Sequence, residues 1–556
     1  MAIVGIGLSL ILLALYAWLL VVIYRAPFRA LAVLVAGMAF HNIVLMFLID
    51  LGTPALLLRM VQFWKEGVLL LLAFMAGRLA VQAWRAGKGP RLSWLDWTML
   101  AFAVLSFVYL VIPDWAFPIE SSLNQRLVSF RVMLLLPLLY AFGRVFWRYT
   151  RPDLVWTGRV LLGSILVVAV FGLWELWFVP TPDWLDWGVN GFTSWLGYGY
   201  GGPKGLPENF FQGTDAGYLL RRMVSTYISP LGLAYTGLLL VPIGTVLVTS
   251  RNVARELPAW FRTAAFVALL ATILFSITRG ALIMLVLEFG LLILLIRRRR
   301  TLVTGGIVAA TVVFILIEYV NFGPLVTFSL EEVRPPLGLA AVRQARTMAP
   351  GQSGSPIATA VASPTQKAGQ SNNAGEQDTK GGELVERMLT REDPSTRGHI
   401  EALRVGAIHV AKYPLGTGLG SSVPRFGSAE GPAESALLAV FGEIGLLGGL
   451  IYTLMYGASI VYSFLAYRRV RGDPLSEGLA LVPMVGGLAL VPIMITSAIW
   501  GNFSVTFLFW WTSGLCLSLI REQQESPTPV ANQERQEDTP KEPERDERTL
   551  ALPHTV

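Results

Sequence analysis

The residues best suited to chemistry in this chain are arginines and carboxylates at the ends of long apolar runs. Arg279 stands in Ser-Ile-Thr-Arg-Gly-Ala-Leu (276–282), at a tight connection between two such runs. A guanidinium there lies at the lipid headgroup level, where it either holds a phosphate bidentately or snorkels to the interface. Arg221 and Arg222 precede another apolar run, and Arg131 lies at the start of a third. Farther along, Arg397 opens an amphipathic pattern over 397–412, with Ile400, Leu403, Ala407 and Val410 at helical spacing on one face. That pattern stops at Tyr413-Pro414 and runs into a turn containing Gly416, Gly418 and Gly420. Such a turn lets backbone N–H groups approach an anion, or is simply flexible. Glu434 opens the next apolar run, as a general base or as an acid that favours the helix dipole. Glu175, Glu288 and Glu318 fall inside apolar runs, where a partner arginine is expected but not identified by sequence. His41, His399 and His409 are scattered without metal-ligand spacing, so no metal and no cofactor is expected.

Several arginines, one Gly-rich turn and one carboxylate suit an anionic lipid headgroup such as a polyisoprenyl diphosphate. Arginines would neutralise the diphosphate as it leaves, and a base would take the proton of an acceptor hydroxyl.

These residues need elements to position them, and composition names the kind. Of 556 residues, 54% are hydrophobic and only 15% charged, with a mean hydropathy of +0.57. A soluble domain is roughly 25% charged, so the surplus of apolar surface must be solvated by lipid. A cytosolic enzyme, a secreted domain and a fibrous protein are excluded. Cys516 is the single cysteine, which leaves no intrachain disulfide and no CxxC motif. The net charge of +7 is mostly topology signalling, not a nucleic-acid patch.

Thirteen apolar runs are long enough or nearly long enough to cross a bilayer: 2–24, 30–49, 66–84, 95–113, 127–147, 157–178, 228–250, 262–277, 280–296, 302–321, 435–466, 477–496 and 503–520. The expectation is an all-α polytopic membrane bundle of about 12–13 transmembrane helices with a large extracytoplasmic loop. The connections after every odd-numbered run up to the eleventh carry 20 Lys and Arg, against 8 on the short connections of the other side. The first set is therefore expected in the cytoplasm, with the N-terminus outside and the C-terminus inside. The first run lacks a basic flank and a cleavage site, so it is expected to be a retained span.

By this reading 1–321 is an N-terminal transmembrane bundle with an outer loop at 179–227. Residues 322–434 form the extracytoplasmic loop, disordered over 346–380 from its Ser, Gly, Pro, Ala and Gln content. Residues 435–521 supply the C-terminal transmembrane helices, and 522–556 a disordered cytoplasmic tail. Trp184, Trp187, Trp195, Tyr198 and Tyr200 in the first outer loop suit an interfacial aromatic belt or a sugar-stacking platform.

The order SITRGAL, a long loop, STRGHIEALRVGAIHVAKYPLGTGLGSS and ESALLAVFGEIGLLGGLIY resembles the O-antigen ligase and O-antigen polymerase superfamily of bacterial envelope glycosyltransferases. Upstream, RRMVSTYISPLGLAY resembles the family's segment after its earlier outer loop. The resemblance implies glycan transfer from undecaprenyl diphosphate to an acceptor hydroxyl at the outer face of the cytoplasmic membrane, without a metal. It places Arg279 and Arg397 on the diphosphate and Glu434 where the ligase branch has a histidine. From their own placement in the sequence, Arg221, Arg222, Gly416, Gly418 and Gly420 are further substrate-binding candidates. The implied partners are a lipid-linked oligosaccharide donor, a glycan or glycolipid acceptor and the lipid bilayer, with no nucleic acid. The rival from another class is a transporter or flippase for an anionic or lipid-linked solute. It would show internal repeats and spans broken near mid-membrane. No repeat is evident between the halves.

Overall fold

The computed structural model describes residues 2–87, 92–196, 206–213, 219–250, 253, 256–322, 325–326, 394–422 and 435–525. The expected disordered stretch 346–380, Tyr198, Tyr200 and nearly all of the tail 522–556 lie outside these residues, as does Glu434.

The described residues form an almost wholly helical multi-pass membrane bundle. Helices α1 (Ala2–Arg25), α2 (Ala30–Asp50), α3 (Ala55–Gln62), α4 (Trp64–Arg85), α5 (Trp94–Val111), α6 (Leu123–Val145) and α7 (Arg151–Phe178) come first. Short α8 (Asp183–Asp186) and α9 (Val189–Trp195) lead to α10 (Pro230–Thr249), α11 (Ala259–Phe275), α12 (Arg279–Ile296) and α13 (Arg299–Phe322). Then follow α14 (Pro394–Lys412), α15 (Ala436–Arg469), α16 (Pro474–Leu481), α17 (Gly487–Thr496) and α18 (Phe503–Glu525). Among the described residues eleven helices are long and apolar enough to cross a membrane, and α11 is a shorter apolar helix. Each of the thirteen apolar runs coincides with a helix, with α16, a π turn at Val482–Gly486 and α17 together making one span.

Helix starts follow from local chemistry. Ser93, Ser122 and Thr150 each accept from the backbone three residues on, and Asp96, Gln125 and Asp153 return the bond, which satisfies otherwise orphaned donors. Ser229 caps α10, with Pro230 at the first position, where its missing N–H costs nothing.

Helices α10 and α18 are the most buried spans, while α1 and α4 present most of their surface outward. In a bilayer that outward apolar surface faces lipid. The closest helix approach is between α6 and α18. A Cβ on Gly143 would stand 1.9 Å from the Trp511 carbonyl oxygen, and one on Gly514 2.0 Å from that of Tyr140. Only glycine lets these two backbones touch, as in small-residue packing of membrane helices. Beside them Tyr452, Tyr456, Trp500, Phe509 and Trp510 make an aromatic core, in which Trp500 Nε1 donates to the Tyr452 hydroxyl at 2.6 Å.

The two ends of the bundle differ. At the basic end arginines tie helix starts together: Arg29 to Asp153 at 2.8 Å, Arg151 to both Glu256 and Asp473, and Arg298 to Glu477 at 3.3 Å. The opposite end carries α8, α9 and a small antiparallel sheet, β1 (Phe211–Gly213), β2 (Leu219–Arg221) and β3 (Leu325–Val326), in the order β1-β2-β3. Trp184 there is fully buried, edge-on to Phe210 at 5.3 Å, so it packs a local core instead of offering a ring to lipid or sugar. Trp187 stacks on Trp174 at 6.0 Å, and Trp195 Nε1 donates to Gln62 at 3.2 Å.

Candidate functional site

The strand β2 separates the adjacent arginines that begin this region. Successive side chains on a strand point to opposite faces. Arg221 turns toward α7, where it donates to the Val179 carbonyl and lies 3.5 Å from the carboxylate of the buried Glu175. The intramembrane carboxylate thus finds its arginine, and Arg221 ties the sheet to α7.

Arg222 turns the other way. Its backbone N–H donates to the Phe210 carbonyl at 2.9 Å. Its Nε donates to the Ser276 carbonyl and a terminal nitrogen to the Thr278 hydroxyl, both at 2.8 Å. These bonds grip the turn that leads into α12. Ile277 in that turn has φ 47°, a left-handed conformation that is a genuine outlier for a β-branched residue. The strained turn delivers Arg279 to the first position of α12, half-buried and within electrostatic reach of Arg222. Burial pulls the Arg222 guanidinium down to about 10; Tyr235 opposes this and the Arg279 charge adds to it. Two cations are therefore held together at one turn, at the end opposite the basic loops.

The pair adjoins the connection between α17 and α18. Tyr235 of α10 shares a hydrogen bond with the Ser497 hydroxyl at 3.2 Å, and Ala436 N–H at the start of α15 donates to the Ser497 carbonyl at 3.1 Å. Ser435 caps α15, accepting from Leu438 N–H at 3.1 Å. Asn502 Nδ2 donates to the Gly232 carbonyl at 3.0 Å. Arg222 thus lies within electrostatic reach of Arg279 and Tyr235, and hydrogen bonds link Tyr235 through Ser497 to Ala436 at the start of α15. Tyr235, Ser497 and Asn502 were not singled out from the sequence. Tyr235 falls within a block quoted above, and nothing in the local pattern marks the other two.

The Gly-rich turn closes around a carboxyl group of the chain itself. Gly416, Gly418 and Gly420 have φ of 82°, 90° and 81°, the left-handed geometry that glycine permits. They are buried, packed against Gly445, Phe117 and Gln125 respectively. Thr417 N–H donates to the Gly442 carbonyl at 2.8 Å, Gly418 N–H to the Glu443 carbonyl at 3.1 Å, and Leu446 N–H to the Pro414 carbonyl at 2.8 Å. The Glu443 carboxylate accepts from Ser422 N–H at 3.3 Å and from the Ser129 hydroxyl. Helix α15 breaks beside it, where Ile444 and Gly445 leave helical φ/ψ. The turn does cradle a carboxylate, but one supplied by the chain itself. The three glycines therefore act as packing points for a loop threaded into the break in α15.

Arg397 falls in the first turn of α14, which packs against α15 and α17, but its side chain lies outside the described residues. Arg131 pairs with Glu66 and stands over the Phe503 ring at 5.1 Å, with Lys65 over the same ring at 5.4 Å. Among the described residues no three His, Cys, Asp or Glu side chains come together as a metal-binding group. No protein-family model matches the chain, and no curated protein matches it either.

Proposed function

We propose that this chain transfers a glycan from a polyprenyl-diphosphate carrier to an acceptor hydroxyl at the outer face of the cytoplasmic membrane, as an enzyme of the O-antigen ligase or polymerase kind. The observation that carries the reading is the Arg222–Arg279 pair, held on a strained turn at the bundle end away from the basic loops. By the loop-charge rule that end faces outward. In this reading Arg279 binds the diphosphate and neutralises it as it leaves, and Arg222 positions Arg279 and adds a second positive charge. Arg397 completes the cationic pocket, and Glu434 takes the acceptor's proton beside Ser435 and Ser497. The motif order that resembles the ligase and polymerase superfamily supports the same assignment.

One observation favours the rival class. Helix α15 breaks at Ile444–Gly445, and α16 and α17 are joined through a π turn. Discontinuous spans are a mark of transporters. Purified protein in bilayer nanodiscs, given a lipid-diphosphate oligosaccharide with and without a separate acceptor, separates the readings. Glycan transfer that is lost in Arg279→Ala and Arg397→Ala is expected. Undiminished product in those variants would refute the assigned roles. No transfer at all, with solute movement in sealed vesicles, would replace the enzyme with a transporter.

A further inference from the structure

Glu288 plays no part in the proposed transfer. It lies near the middle of α12, nine residues from Arg279, or about 13 Å along the axis at 1.5 Å per residue. Its side chain is fully buried, and neither carboxyl oxygen has a hydrogen-bond partner. Three other buried carboxylates of the described spans each have one: Glu175 has Arg221, Glu443 has Ser129, and Glu477 has Arg298.

The element facing Glu288 is also unusual. The π turn Val482–Gly486 packs against α12, and a Cβ on Gly486 would stand 3.7 Å from Glu288 Oε1. A π turn is a loosened, costly piece of helix that concentrates at functional sites. Pro483 within it has no N–H to give. Side-chain donors satisfy carbonyls on either side: Ser463 hydroxyl bonds Ala480, and Tyr456 hydroxyl bonds Gly487 at 2.6 Å. None of these donors bonds Glu288.

The elements packed on α12 supply no counter-ion among the described residues. Helix α10 brings Tyr235, α11 brings Arg262, and α13 brings Arg299 and Arg300. The π turn and α17 bring no titratable group. Arg262 is bound to the Leu247 and Ser250 carbonyls, and Tyr235 to Ser497. Glu318 of α13 has its side chain outside the described residues.

A carboxylate left ionised in such a place, without donor or cation, is far too costly to keep. We infer that Glu288 is a proton-binding site at the membrane midplane, gated by the π turn 482–486. With the π turn closed on α12 the group is the neutral acid. When the turn parts from α12 and water enters, the carboxyl O–H bond breaks, the proton passes to water and the carboxylate is solvated. Re-closure requires a proton back from water. The site does not depend on the glycan-transfer reading.

Infrared spectroscopy of the full chain in nanodiscs tests this, with Glu288→Gln as the shape-conserving control. The expected result is a protonated-carboxyl stretch in the parent protein that is absent from Glu288→Gln. It should shift in deuterium oxide and be lost reversibly as the pH is raised. A hydrophobic carbodiimide should label the same residue at low pH and progressively less at high pH. Absence of the band would overturn the proposal, because the carboxylate would then be ionised and a bound cation would cover it. A band that neither exchanges with deuterium nor titrates would overturn it too, since that proton would be a fixed structural one.

Discussion

Replacing Arg222 with alanine tests whether the two cations are built as a unit. Two charge-assisted bonds, to the Ser276 carbonyl and the Thr278 hydroxyl, would be lost together. Bonds of this kind contribute about 1.5–3 kcal/mol each, so the gross loss is roughly 3–6 kcal/mol. Removing a buried guanidinium also relieves its desolvation, which leaves a net cost of about 2–4 kcal/mol. Thermal unfolding in nanodiscs, followed by tryptophan emission, should show a midpoint lower by on the order of 5 °C. Arg222→Lys keeps the charge but not the fork of donors, and should recover less than half of the loss. Arg279 is half-buried, so Arg279→Ala should cost less stability than Arg222→Ala while removing transfer as completely. An unchanged midpoint in Arg222→Ala, or a larger drop in Arg279→Ala, would refute the idea that Arg222 holds the turn for its neighbour.

Four further outcomes follow from packing and pairing. Gly143→Ala and Gly514→Ala each drive a methyl into a backbone carbonyl and should destabilise by about 3 kcal/mol, the upper end of overpacking costs. Gly163→Ala, with nothing within 4 Å of its added carbon, should be neutral in the same unfolding assay. Glu443→Ala removes the acceptor for Ser422 N–H and the Ser129 hydroxyl. Loosening the 413–422 loop by about 2 kcal/mol should speed its amide hydrogen exchange roughly 30-fold. Arg151→Ala at the basic end breaks contacts to Glu256 and Asp473, but all three side chains are partly open to water. Its measured cost should stay under about 1 kcal/mol.

The helices were legible because hydrocarbon thickness sets a length that hydropathy can count, and all thirteen runs lie within a few residues of the helices observed. Even α11, short and tightly joined to α12, was visible as a hairpin. The site was legible only in part, because neighbours in sequence were sorted by local geometry. Arg221 and Arg222 looked equivalent, but Arg221 ends a three-residue strand and bonds toward α7, while Arg222 follows it and bonds the turn before α12. The strand itself gave no warning, since Leu219–Arg221 is too short for an alternating pattern. The glycine turn was read as an approach for an anion or as a flexible turn, and in the structure it packs around a carboxyl group of the chain itself. That group was missed because Glu443 lies one residue before a helix break that hydropathy does not register. Trp184 illustrates the reverse case: an aromatic that by composition suited a surface is a core residue once α8, β1 and α2 close over it.

The backbone contact between α6 and α18 has a consequence for how the chain is made. Helix α18 leaves the ribosome after every other described helix, yet it fills the axis around which α2, α6, α10 and α15 gather. Until it arrives, the Gly143 face of α6 has no Trp511 backbone to pack against. A chain stalled short of Phe503 would therefore lack the packing of α18 against α2, α6, α10 and α15, while the packing of α7 on α2 and α11, and of α10 on α11 and α16, could already form.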